Sequence, residues 1–231
     1  MIIGGLQKLT LIDYPGKVAA TVFTVGCNFF CDFCHNPDLV LVKKTDQFPF
    51  MGEEEFFWWL EKKIGLLDGI CITGGEPTIH QDLPQFIKKI KDLSFSVKLD
   101  TNGTNPEMLE DLIKNNLLDY IAMDIKGPLE KYQKFSNLKL DLEKIKKSVE
   151  VVKKFPAHEF RTTVIPLLHQ KKDILNIVKW LSGAKKYVLQ QFRPEVTLDP
   201  GCSQIKPYPD KKIHELCDMI SRHFESCEVR L

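Results

Sequence analysis

Six short runs of nearly unbroken apolar or β-branched residues punctuate the sequence: Val18–Val25, Asp68–Thr73, Phe95–Thr101, Asp119–Ile125, Glu159–Ile165 and Lys186–Phe192. A strand with one wet face alternates polar and apolar residues, whereas a strand covered on both faces reads as a continuous apolar run. Helical periods lie between the runs. Leu83, Phe86, Ile87 and Ile90 share one helix face, and so do Ile174, Ile177, Val178 and Leu181. Leu142, Ile145, Val149 and Val152 form a third stripe, with Lys144, Lys146, Lys147 and Glu150 turned to water. Asn105 caps and Pro106 opens a helix over residues 106–115. A last helix, over residues 210–224, carries Ile213, Leu216, Cys217 and Ile220 on one face. Strands that alternate with helices favour a parallel sheet with right-handed crossovers. The expected fold class is therefore α/β, and six strand–helix units suit an open or partial barrel better than a closed eight-stranded one.

A chain of 231 residues is long enough for one sizeable core. No low-complexity linker or internal repeat divides it, so a single domain over residues 1–231 is expected. Its core would run over about 16–192, with a C-terminal helix and extension over 193–231. With 32 basic and 31 acidic residues, no basic excess points to nucleic acid. No apolar run approaches the roughly 20 residues that cross a bilayer, and the first residues show no secretory pattern. The seven cysteines are odd in number and three are tightly clustered, which argues against a secreted disulfide framework. The expectation is a cytoplasmic protein with reduced thiols and no membrane partner.

In parallel α/β folds, chemistry collects at the carboxyl ends of the strands. The unusual polar residues of this chain fall there. A cysteine loop follows the first run, Gly74-Gly75-Glu76-Pro77 the second, Asp100-Thr101-Asn102-Gly103 the third, and Asp124-Ile125-Lys126 the fourth. Arg161 lies in the fifth run and Gln190-Gln191 near the end of the sixth.

Cys27, Cys31 and Cys34 stand in the order C-x3-C-x2-C within VGCNFFCDFCHNP. An iron–sulfur cluster normally takes four cysteine ligands. Three on one loop would leave one iron of a four-iron cluster open to another ligand. Two blander readings stay open on the residues alone: an electron-transfer cluster, and a structural zinc site with His35 as the fourth ligand.

The cysteine motif, with Phe33 before its last cysteine, resembles the cluster motif of the radical S-adenosylmethionine (SAM) enzymes. Gly74-Gly75-Glu76-Pro77 resembles their second motif, and the likeness spans about 16–192. It implies a partial (β/α)6 barrel of the radical SAM type, with a [4Fe–4S] cluster on Cys27, Cys31 and Cys34. In such enzymes the amino and carboxylate groups of SAM chelate the open iron. An electron then cleaves SAM to a 5′-deoxyadenosyl radical. By the same resemblance Gly74 and Gly75 let the backbone approach the ligand, Glu76 meets the SAM ammonium, and the backbone beside Phe33 faces the adenine.

Asp100 and Asn102, with Asp124 and Lys126, resemble strand ends of the glycyl-radical-enzyme activases, where paired aspartates help hold SAM and a monovalent cation. Arg161 would pair with the SAM carboxylate. Each charged residue has an ordinary alternative, a solvated loop carboxylate, an exposed lysine or a structural salt bridge. Gln191 stands where activases can carry histidine.

Asp13-Tyr14-Pro15-Gly16-Lys17 and Cys34-His35-Asn36-Pro37 narrow the likeness to activases, nearest the long form of anaerobic ribonucleoside-triphosphate reductase activating proteins. The implied partners are that glycyl radical enzyme and flavodoxin or ferredoxin as electron donor. The rivals are a small-molecule radical enzyme like the 7-carboxy-7-deazaguanine synthases, and a zinc- or cluster-binding interaction module. Cys71 and Cys217 read as core residues. Cys202, His214, Cys217 and Cys227 could form a second metal site. Phe56-Phe57-Trp58-Trp59 covers more than one helix face, so part of it could be a docking patch.

Overall fold

The computed structural model describes residues 1–40, 50–137 and 139–231. They form two compact units. The first holds residues 1–28, 38–101 and 105–121, and the second holds residues 29–37, 102–104 and 122–231.

In the first unit, β1 (Ile3–Thr10) pairs antiparallel with β2 (Ala19–Thr24), and parallel pairings join β2 to β3 (Gly69–Gly74) and β3 to β4 (Ser96–Thr101). The three parallel strands are nearly continuous in buried residues, as their composition predicts. β1 exposes Gln7, Lys8 and Leu9, which suits an outer strand. The run Asp13–Lys17 between β1 and β2 has a packing role here. Asp13 accepts a hydrogen bond from the Thr21 hydroxyl at 2.7 Å, and the buried Tyr14 ring lies over Gly69, where a Cβ would come within 3.0 Å of it.

Short α1 (Pro37–Val40) straddles the division between the units. α3 (Leu83–Asp92) buries the face that periodicity assigns to it, while α2 (Glu53–Glu61) buries Phe56 and Leu60 and α4 (Pro106–Lys114) buries Leu109 and Leu112. Phe56 is fully buried and Trp58 is 63% exposed, so the aromatic run is divided between core and surface. Asn105 caps α4 through the Met108 N–H, as expected.

β5 (Tyr120–Asp124) passes from one unit into the other. Its approach lies on β4, with Asp119 N–H donating to the Val97 carbonyl at 2.8 Å. In the second unit, Ile125 N–H beyond it donates to the Arg161 carbonyl of β6 (His158–Val164) at 2.7 Å. β6 pairs parallel with β7 (Lys186–Gln191), and β7 with β8 (Ser226–Arg230). Around them run α5 (Tyr132–Ser136), α6 (Leu142–Lys154), α7 (Lys171–Leu181) and α8 (Asp210–Ile220).

The fold class is α/β with parallel strands, and all six expected strands form within one or two residues of their expected ends. β1 and β8 are additions to that expectation. One pair of cysteines also departs from it: Cys217 of α8 and Cys227 of β8 form a disulfide, so they are neither reduced nor available as metal ligands. Among the described residues, no helix is long and apolar enough to cross a membrane.

Candidate functional site

In the first unit the ends of β2 and β3 are locked together. Gly75 N–H donates to the Thr24 carbonyl at 2.9 Å, and Glu76 N–H to the Gly26 carbonyl at 2.8 Å, one residue before Cys27. Both glycines are required by that approach. A Cβ at Gly75 would stand 1.9 Å from the Gly26 oxygen, and one at Gly74, where φ is +118°, would stand 2.3 Å from the Thr24 nitrogen. The glycine-rich turn thus fixes the chain that leads into the cysteine loop.

Glu76 is buried, and one of its oxygens accepts from Thr78 N–H at 3.1 Å and from the hydroxyls of Thr78 at 2.6 Å and Thr101 at 2.7 Å. Asp100 is buried beside Lys98, whose side chain is fully buried and whose ammonium bonds its carboxylate. Lys98 lies within the apolar run of β4, and its charge there was the signal that the aspartate would have a resident cation.

The second unit carries the rest of the cysteine loop and its facing charges. Cys34 N–H donates to the Cys31 carbonyl at 3.0 Å, and Asn36 N–H donates to the Cys34 Sγ at 3.4 Å. Cys31 and Phe33 are buried, and Cys34 is half-buried. Burial pushes the Cys31 thiol up to about 11, with the Lys126 charge working against that rise. His35 lays its ring on Phe192, centroids 5.9 Å apart.

Asp124, at the end of β5, accepts from Arg161 Nε at 2.8 Å on one oxygen and from Lys126 Nζ at 3.1 Å on the other. Burial would favour the neutral acid, but Arg161 and Lys126 hold the Asp124 carboxyl well below the usual range. Lys126 is raised in turn, the Asp124 charge outweighing the cost of burial. Tyr132 and His169 grip the backbone of this segment. Tyr132 receives Lys126 N–H at 3.4 Å and donates to the Asp124 carbonyl at 3.3 Å. His169 receives Ile165 N–H on Nδ1 at 3.1 Å, so its Nε2–H donates to the Lys126 carbonyl at 2.9 Å. Neither residue is visible as functional in the sequence, because each acts on main-chain atoms rather than on another side chain. Asn102 takes Thr104 N–H and Oγ1 at 3.0 and 2.7 Å, and Gln191 donates to the Tyr208 carbonyl.

The expected site residues thus fall into two sets. Cys27, Gly74, Gly75, Glu76 and Asp100 belong to the first unit, and Cys31, Phe33, Cys34, Asn102, Asp124, Lys126 and Arg161 to the second. Among the described residues, no group of three or more His, Cys, Asp or Glu side chains stands ready to hold a metal ion.

The model of the radical SAM superfamily matches residues 21–181, more than half of the chain. This chain belongs to the radical SAM superfamily. A protein of Methanocaldococcus jannaschii named as a glycyl-radical enzyme activating enzyme is 34% identical over 99% of this chain and 95% of its own. Among solved structures, SuiB of Streptococcus suis superposes with a TM-score of 0.68 at 13% identity, covering 91% of this chain. This radical SAM protein spans 48% of that longer chain. QueE of Escherichia coli superposes with a TM-score of 0.61 at 17% identity, over 99% of this chain and 93% of its own. As a radical SAM enzyme, the protein is not a bare interaction module.

The family implies a [4Fe–4S] cluster and SAM, and the donor chemistry fits both. Cys27, Cys31 and Cys34 stand outside any disulfide, soft ligands suited to iron–sulfur chemistry, and Cys34 already receives an N–H···S bond of the kind that tunes a cluster. The Asp124, Lys126 and Arg161 set can meet the opposite charges of an amino acid head group.

Proposed function

We propose that this radical SAM enzyme is an activase that installs a glycyl radical in a large partner enzyme, an anaerobic ribonucleoside-triphosphate reductase. The observation that carries this reading is the near full-length identity to the relative named as a glycyl-radical enzyme activating enzyme. The Cys34-His35-Asn36-Pro37 neighbourhood supports it.

In this reading residues 1–231 act as a single radical SAM domain in the cytoplasm, and flavodoxin or ferredoxin delivers the electron. Cys27, Cys31 and Cys34 hold the cluster. Held there, the cluster would supply the one-electron reduction of SAM, the source of the radical chemistry that this activity directs at a glycine Cα.

The chain's own residues bind and orient. Arg161 offers a guanidinium fork to the SAM carboxylate, and Lys126 balances charge beside Cys31. Asp124 keeps both cations in place, so either can turn towards ligand without leaving an unpaired buried charge. Glu76 and Asp100 serve the SAM ammonium side, Asn102 serves the head group, and the backbone at Phe33 serves the adenine. A monovalent cation at Asp100 would compete with Lys98 for its carboxylate, and one at Asp124 would compete with Lys126.

The test is isotopic. Candidate partner enzymes carrying glycine deuterated at Cα are incubated anaerobically with the reduced, iron-loaded protein and SAM. Deuterium should appear in 5′-deoxyadenosine with one partner, and Cys31→Ala should form no 5′-deoxyadenosine. Label-free 5′-deoxyadenosine with every partner, together with turnover of a small molecule, would favour a deazaguanine-synthase-like activity instead.

A further inference from the structure

Cys31 is held from both sides by residues far along the chain. On its N-terminal side, Phe30 N–H donates to the Ser136 carbonyl at 3.1 Å, and the Phe30 carbonyl receives the Asn137 side-chain amide at 3.0 Å. On its C-terminal side, the same Asn137 amide donates to the Asp32 carboxylate, and the Asp32 carbonyl receives Asp199 N–H at 2.9 Å. One amide group, with its two hydrogens, therefore bridges the residues before and after the central cysteine of the loop.

The backbone of Asn137 explains why the amide can reach. Asn137 ends α5 in the left-handed region, with φ +55°, a conformation that asparagine tolerates better than most residues. That turn stops the helix, frees the Ser136 carbonyl for Phe30, and projects the side chain across the cysteine loop. Asp32 makes one of the two bonds charge-assisted. Asp199 is itself anchored, its carboxylate receiving Gly201 N–H at 2.8 Å and its carbonyl the Thr197 hydroxyl at 2.9 Å. The segment after β7 is thus fastened to the loop as well.

We propose that Asn137 is a positioning residue for Cys31: by clasping Phe30 and Asp32 it preforms the middle of the cysteine loop, so that the thiolate is placed before iron arrives. The proposal rests on the reading of Cys31 as a cluster ligand. A loop of three cysteines must bring three thiolates to one cluster, and each residue left free would have to be ordered at the moment of loading. The clasp supplies that ordering at the fold's cost. It also opposes release of Cys31 once the cluster is held.

Three variants test this. Asn137→Gly keeps the left-handed backbone and removes the amide. Asn137→Asp keeps the shape but loses both donors and faces Asp32 with like charge. The exchange Asp32→Asn with Asn137→Asp restores one bond with donor and acceptor reversed.

In the metal-free full-length protein, amide exchange across residues 29–34 should quicken roughly fivefold in both single variants, the scale of one ordinary hydrogen bond at an exposed site. Exchange in β7 and α7 should not change. After anaerobic reconstitution, loss of iron to a chelator should quicken to a similar degree, and the exchanged pair should recover part of that loss. Unchanged loop exchange with unchanged iron retention would overturn the proposal. So would quickening spread equally over β7 and α7 with no recovery in the exchanged pair, which marks a general stability effect. A wild-type protein that takes up no iron would overturn the ligand reading, and the exchange measurement on the metal-free protein would still decide the clasp.

Discussion

At the scale of single residues, the charged groups foreseen at the strand ends are present, but their partners were not foreseen. Arg161 is legible because a charge inside an apolar run is costly, and Asp124 and Lys126 because they stand at a strand end that resembles those of the activases. Lys98 also lies inside an apolar run, but a single lysine in a strand reads equally as an outward-facing residue. Asn137, Tyr132 and His169 were invisible for a different reason. They act on backbone atoms, and no side-chain pattern records which carbonyl a distant imidazole will meet.

His169 is buried, and its ring is stacked on Phe135 at 4.8 Å. Burial first of all, against the opposing hydrogen bond to Lys126, lowers its pKa from 6.5 to about 4. The folded state therefore keeps it neutral while the unfolded chain takes up a proton as pH falls below 6.5. The stability that this histidine contributes is complete above 6.5 and is lost as pH falls from there towards 4. Its imidazole resonances should show the Nε2–H tautomer at neutral pH and a midpoint near 4 in a nuclear magnetic resonance titration. A midpoint at the ordinary value would contradict the burial and the grip on Lys126.

At the scale of elements, β2 to β7 are readable because burial on both faces leaves a continuous apolar signature. β1 and β8 lack it. β1 carries Gln7 and Lys8, and β8 reads SCEVR, so both look like loop until pairing partners are known. What holds β8 is a pairing across β7. Arg230 meets the fully buried Glu159 of β6 with two bonds of 2.8 and 2.7 Å, while Lys186 of β7 stands 3.8 Å from the same carboxylate and 2.6 Å from Glu228. Replacing Arg230 by Met removes the bidentate partner of a buried carboxylate. The unfolding free energy should drop by about 3 kcal/mol, as expected when one member of a buried pair is lost. A denaturation midpoint equal to that of the wild type would show that Glu159 does not depend on β8.

The motif turns show the same division between readable and unreadable. Gly74-Gly75 stood out in sequence as a ligand-approaching turn, yet its tight contacts are with Thr24 and Gly26 of the neighbouring strand end. Asp13–Lys17, read as a family mark, is accounted for by Tyr14 over Gly69. A residue required for packing and a residue required for chemistry leave the same trace when only one sequence is at hand.

At the scale of the whole molecule, the radical SAM superfamily and the α/β class follow from the cysteine spacing and the strand–helix alternation together. The Cys217–Cys227 disulfide does not, because cysteines ten residues apart at the end of a chain otherwise rich in free thiols carry no pairing signal. The target of the radical is the least legible property of all. It depends on a surface that must admit a glycine loop from another protein, and no spacing rule describes such a surface.

We propose that the radical formed here ends on a glycine of an anaerobic ribonucleoside-triphosphate reductase. The most direct measurement is electron paramagnetic resonance of the iron-loaded, reduced protein mixed anaerobically with SAM and an anaerobic ribonucleoside-triphosphate reductase from the same organism. The expected result is a doublet from a glycine Cα radical on the reductase, absent without SAM and absent with Cys31→Ala. Stoichiometric 5′-deoxyadenosine with no such doublet on the reductase would contradict it.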